Sequence, residues 1–113
     1  MKIVTERITF GELREMAEAG FGTLVKAVVD VKTGIMAVDA ELHSDQEALL
    51  LENGSAQRDL WGINLYPDAD GEEWIEFDSM INLRPSVGNK SRGVDDQAVR
   101  DRIRDIVTRL VQR

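Results

Sequence analysis

The chain has 113 residues, 42% of them hydrophobic and 31% charged, with 21 acidic against 14 basic side chains and a net charge of −7. That length fits one domain over residues 1–113 with a core of its own. The absence of cysteine excludes disulfides, thiolate metal sites and cysteine nucleophiles, and the acidic balance argues against nonspecific nucleic-acid or anionic-membrane binding.

Residues 2 to 5 are expected to form a short strand. Thr9 then reads as the N-cap of a first helix, with Glu12 completing a capping box. Phe10, Leu13, Met16 and Ala17 share one face of that helix, and Gly20 is placed to end it through a positive φ. Leu24 to Val31 and Ile35 to Leu42 read as a hairpin around Lys32-Thr33-Gly34. Ser44 with Glu47 predicts a second capped helix through Ala48-Leu49-Leu50-Leu51, closed by Asn53-Gly54. Such apolar runs are far too short to span a membrane. Only Ile3 and Val4 separate Lys2 from Thr5-Glu6-Arg7, so a signal peptide is not expected and a cytoplasmic location is.

Leu60 to Tyr66 predicts a third long strand. After the turn Pro67 to Gly71, Trp74 to Arg84 predicts a long returning one. Trp61 is expected in the core and Trp74 partly exposed near the hairpin end. Asp95 is placed to cap a last helix whose stripe is Val99, Ile103, Ile106, Val107 and Leu110, with Asp105 and Arg109 paired on its wet side. The order β-α-β-β-α-β-β-α predicts an α+β fold: a largely antiparallel sheet of four to five strands with three helices packed on one face.

Alternation on the strands then sorts the side chains. Trp61, Ile63, Phe77 and Ile81 are expected to face the helices, while Lys26, Asn64, Tyr66, Glu76, Asp78, Asn82 and Arg84 are expected on an open face. An open face needs polar residues for solvation alone. Asn64, Asp78 and Asn82 are nevertheless poor strand formers, which suggests a further requirement.

Three stretches carry chemistry. His43 is the single histidine, with Glu41 two residues earlier. Together with Asp78 they could serve as metal ligands or an acid–base group, although a zinc site ordinarily draws on more His or Cys. Asp68, Asp70 and Glu72 surround the turn glycine Gly71 as weak metal candidates, but the full calcium-loop pattern is missing. The segment from Arg84 to Gly93 has three cations, two glycines and no acid. Arg84, Asn89, Lys90 and Arg92, with Asn64 and Asn82 on the sheet, are the candidate ligand-binding residues for an anion. Arg84 and Asn89 stand where a Walker A loop needs glycine, so that motif is absent. The plain alternative for the segment is a mobile loop whose cations meet the acidic body.

The segments Val25 to Asp30, Glu41-Leu42-His43, Leu60 to Pro67, Ile75 to Pro85, Gly88-Asn89 and Ser91 to Val94 resemble a family of small prokaryotic proteins of unknown function. The resemblance covers nearly the whole chain and implies a small cytoplasmic α+β protein. It implies no activity, cofactor or catalytic residue. From the residues, two functions are open. One is a non-enzymatic binding module for a small anionic ligand or protein partner, with no cofactor. The other is a metal-dependent hydrolase using Glu41, His43 and Asp78, which requires those groups to converge in one cleft.

Overall fold

The computed structural model describes residues 1–112. Their order is β1 (Lys2–Val4), β2 (Ile8–Thr9), α1 (Phe10–Ala19), β3 (Val25–Asp30), β4 (Ile35–Val38), α2 (His43–Glu52), β5 (Leu60–Leu65), β6 (Ile75–Glu76), α3 (Gln97–Leu110) and β7 (Val111–Gln112). Five strands form one sheet in the order β1-β4-β3-β5-β6, every neighbouring pair antiparallel. β2 and β7 add a two-stranded parallel pair. The α+β class and the antiparallel sheet are as the sequence predicts.

β3 occupies the middle of the sheet, between β4 and β5, and its two faces feed two cores. Val25, Ala27 and Val29 join Met36, Val38, Trp61, Ile63 and Leu65 on the face covered by α1 and α3. Val28, Ala37 and Leu60 face the other way, where Leu50 of α2 covers them. The expectation that all three helices pack on one face is therefore corrected. The apolar residues Val28 and Ala37 sit at positions that strand alternation assigns to the open face. Burying them needs a second cover, and α2 supplies it.

The helix ends follow the same local chemistry with two shifts of position. Thr9 caps α1, its Oγ1 accepting from Glu12 N–H at 3.0 Å. Gly20 ends α1 with φ −112°, and the left-handed residue is Gly22, at φ 96°. α2 starts at His43 with Leu42 as N-cap and no side-chain cap, in place of the predicted Ser44 box. α3 is capped by Asp96, which accepts from Ala98 N–H, and not by Asp95. Its buried stripe, Ile103, Ile106, Val107 and Leu110, is the predicted one. Arg109 donates to the Gly34 carbonyl rather than engaging Asp105.

The long strand predicted over 74–84 is cut short. β6 is only Ile75–Glu76, and the chain then leaves the sheet through single turns at Met80–Asn82 and Pro85–Val87. Phe77 stays with the α1/α3 core, Ile81 packs against the α2 core, and Leu83 is exposed. Asp78 and Asn82 are poor strand formers, and they occupy the irregular segment for that ordinary reason. Trp74 is buried instead of partly exposed, its ring 4.9 Å from that of Phe10.

Candidate functional site

The irregular segment runs back across the α2 side of the sheet and shapes a cleft there. Lys26 on β3 and Asn64 on β5 are cross-strand partners, and Asn64 in turn faces Glu76 on β6. Alternation puts these side chains on the α2 face. α2 contributes its first residues, Leu42 to Ser44, and the returning segment contributes Asp78 to Ile81 and Arg92. The cleft has a volume of about 510 Å³ and also takes in Leu24 and Tyr66. That size lies within the ~300–1,000 Å³ of small-molecule pockets.

Asn64 lines it and is 7% exposed. Its Nδ2 donates to Glu76 Oε1 at 2.8 Å and reaches the Asp78 carbonyl at 3.4 Å. Both partners are acceptors, which fixes the amide orientation. Oδ1 is buried without a donor. Tyr66 O–H donates to the same Glu76 oxygen at 3.1 Å. Burial and the adjacent Glu76 carboxylate push the Tyr66 hydroxyl pKa up, so the phenol stays protonated at neutral pH.

His43 is buried, 8% exposed, with Nε2 2.7 Å from the Ile63 carbonyl. A carbonyl accepts only, so Nε2 carries the proton and Nδ1 of the neutral ring is an acceptor. Burial lowers the His43 pKa, and the Lys26 and Arg92 charges lower it further. The Ile63 hydrogen bond and Asp78 act in the opposite direction without reversing the sign. The ring is held against the sheet where β5 has a glycine. A Cβ at Gly62 would lie 3.2 Å from His43 Cγ and 2.5 Å from Ser79 Cβ.

Charge in the cleft is mixed. Arg92 Nε donates to Asp78 Oδ1 at 2.7 Å, with both side chains about half exposed. Lys26 holds its ammonium 5.3 Å from the centre of the Phe21 ring. Leu42 and Met80, 53% and 63% exposed, give the mouth an apolar rim.

Comparison with known proteins adds one match. The family model described as a protein of unknown function, DUF5674, matches residues 2–110. The chain belongs to this DUF5674 family. No curated protein and no solved structure matches it. Membership brings no activity to a DUF5674 chain, so its site is read from geometry alone.

That geometry divides the residues singled out in the sequence. His43, Asp78, Asn64 and Arg92 meet in the cleft. Glu41 does not line it. It sits with Met16, Phe21 and Asp39 in an adjoining depression that shares Leu24 and Lys26 with the cleft. Arg84 and Asn89 turn inward. Arg84 donates to the Gln57 and Leu60 carbonyls at 2.7 and 2.8 Å and stacks 4.2 Å from the centre of the Trp61 ring. Asn89 is 5% exposed and donates to the Asn82, Ser91 and Gly93 carbonyls while accepting from Asp95 N–H. Arg84 and Asn89 also pair backbone to backbone around Gly88, at φ 90°. Asn82 is fully buried against Gly62. Asp95 carboxylate oxygens take Lys90 N–H and Ser91 O–H, so an acid already faces the cationic loop.

Asp68 pairs with Arg14 at 2.8 Å. Among the described residues no three His, Asp or Glu side chains gather to hold a metal ion, so Asp68, Asp70 and Glu72 form no ligand set, nor do Glu41, His43 and Asp78. Among the same residues no helix is long and apolar enough to cross a membrane. Lys26, Tyr66, Glu76 and Ser44 belong to the cleft, though the sequence reading left them out of its candidate site. Strand alternation had put the first three on the right face, but the apolar neighbours that bring α2 down beside them were the missed signal.

Proposed function

We propose that this protein is a non-enzymatic binding module whose cleft beside α2 holds a small organic ligand with a negatively charged head. The observation that carries the reading is a cleft of about 510 Å³ lined by the buried polar side chains of Asn64 and His43. Lys26 and Arg92 supply positive charge at the same place. The hydrolase alternative needs Glu41 beside His43 and Asp78, and Glu41 lies outside the cleft.

The test is amide-shift titration of the full chain with small carboxylates and with inorganic phosphate. Saturable shifts concentrated at Lys26, His43, Ser44, Asn64 and Asp78 are expected for at least one carboxylate. Shifts confined to the segment 84–93, or scattered evenly over cationic surface residues, would overturn the reading.

A further inference from the structure

The charges around the cleft add a condition to the anion-binding reading, on which this inference rests. Lys26 and Arg92 are the cations of its lining, and Glu76 and Asp78 are the carboxylates. Tyr66 is the other titratable group besides His43, and its hydroxyl stays protonated. With His43 neutral, the two cations and the two carboxylates cancel. A cleft without net charge draws an anion only weakly. One added proton would leave it positive.

His43 is the group placed to take that proton. It is the single histidine of the chain, it lines the cleft, and it is buried. Nε2 lies 2.7 Å from the Ile63 carbonyl, so that nitrogen is the donor and Nδ1 accepts the added proton. The ring rests against β5 at Gly62, where an added Cβ would stand 3.2 Å from His43 Cγ. Anchored there, the ring keeps its charge in the cleft wall.

Charged groups reach the ring from the elements around it. Burial favours the neutral ring, and so do Lys26 on β3 and Arg92 on the returning segment, while Asp78 on that segment favours the proton. Glu76 on β6 and Tyr66 just beyond β5 line the same cleft. Glu41, Asp45 and Glu47, close to His43 along the chain, lie outside it. An anion held by Lys26 and Arg92 offsets the two charges that oppose the proton. We propose that the cleft takes up its anion together with a proton on His43, binding in mild acid and releasing as the proton leaves. The coupling is reciprocal: the factor by which the proton tightens the anion is the factor by which the anion tightens the proton.

Ethanesulfonate is the probe, because its charge stays fixed over the range in which a histidine titrates, about pH 5 to about pH 8. Amide shifts of the full chain are titrated with it at constant ionic strength. The ring resonance of His43 is followed against pH with and without it. The wild type is expected to bind about threefold or more tighter at the acid end than at the alkaline end, and the His43 midpoint to move up with the sulfonate bound. His43→Gln, whose side-chain amide keeps a donor for the Ile63 carbonyl, should bind alike at both ends. Glu76→Gln, a change at an exposed side chain, removes a carboxylate and should bind more tightly than the wild type at the alkaline end. Unchanged affinity there would overturn the charge balance on which the coupling rests. Cleft shifts with equal wild-type affinity at both ends, or with an unmoved His43 midpoint, overturn the coupling and leave the anion-binding reading standing. A gain in acid that persists in His43→Gln puts the proton elsewhere and overturns the coupling too. If the sulfonate shifts no cleft amides at either end, both are overturned.

Discussion

The Asn82 side chain hydrogen-bonds both backbone groups of Gly62: Gly62 N–H donates to Oδ1 at 2.8 Å, and Nδ2 donates to the Gly62 carbonyl at 2.9 Å. One side-chain amide thereby does the work of a paired strand residue where β6 has already ended. The same Nδ2 also reaches the Arg92 carbonyl, so Asn82 ties β5 to the returning segment that walls the cleft. Asn82→Ala strands a buried donor and a buried acceptor on Gly62. At about 1–3 kcal/mol for each unmet group, with some relief from local rearrangement, a loss of about 2–4 kcal/mol is expected. Urea denaturation measures it, and a loss below about 1 kcal/mol would show that water replaces the amide without penalty.

Gly62 is also a steric requirement. Its added Cβ would meet Ser79 Cβ at 2.5 Å and Ser79 Oγ at 2.6 Å. Gly62→Ala should therefore cost about 1–3 kcal/mol, the usual range for overpacking. The Ser79→Gly background removes both clashing atoms, after which the 3.2 Å approach to His43 Cγ is the tightest. In that background the Gly62→Ala penalty should shrink. A penalty of the same size in both backgrounds would place its origin in the β5 backbone.

The sequence carried the sheet and most of its core, because β3, β4 and β5 alternate strongly and α3 has a clean apolar stripe. It misplaced α2 because alternation was weighed on the more apolar face alone. Val28 and Ala37 are small and apolar on the face that otherwise reads as polar, and with Leu60 they form the apolar surface that α2 covers. The 74–84 segment misled for a different reason. Its apolar residues do alternate, but Ile81 packs against the α2 core while Phe77 packs against the other, and local spacing does not show where a chain leaves a sheet edge. For the cleft, His43, Asn64, Asp78 and Arg92 were legible as unusual polar residues. Their convergence depends on the long-range packing of α2 and residues 78–92, which no local pattern encodes.

Stability should fall with acid in two separate windows. The folded His43 pKa lies below its ordinary 6.5, chiefly through burial. Protonation therefore favours the unfolded chain. The His43 contribution is fully present above pH 6.5 and is lost as pH falls through the depressed folded value. Asp30 acts lower. Burial alone would raise its carboxyl, but hydrogen bonds from Ser55, Thr33 and Lys32 outweigh that and hold it below 3.8. Its contribution is present above pH 3.8 and is lost only below that. Denaturation of the wild type and His43→Gln between about pH 8 and about pH 5 separates the terms. The wild type should lose stability across this range and the variant much less. Parallel curves would show that His43 titrates alike in both states.

Arg84 decides between two roles for the cationic segment. As an anion anchor it would be dispensable for folding, since an exposed charge contributes only about 0–1 kcal/mol. Its guanidinium instead donates to the Gln57 and Leu60 carbonyls and lies over the Trp61 ring. These contacts fasten the residues leading into β5 to the segment that follows Asn82. Charged hydrogen bonds are worth about 1.5–3 kcal/mol each, and part of that is offset by side-chain ordering. Arg84→Ala is therefore expected to destabilise the fold by about 2–3 kcal/mol, and Arg84→Lys to recover only part of the loss, because a single ammonium does not reproduce a planar fork over an aromatic ring. Arg92→Ala, which breaks a half-exposed ion pair with Asp78, should cost less than about 1 kcal/mol. Thermal melts of the three variants with and without phosphate read both roles at once. The structural role predicts a clear drop in Tm for Arg84→Ala, a small one for Arg92→Ala, and phosphate-induced shifts no larger in the wild type than in Arg84→Ala. A phosphate stabilisation present in the wild type and abolished by Arg84→Ala would return Arg84 to the role of an anion ligand.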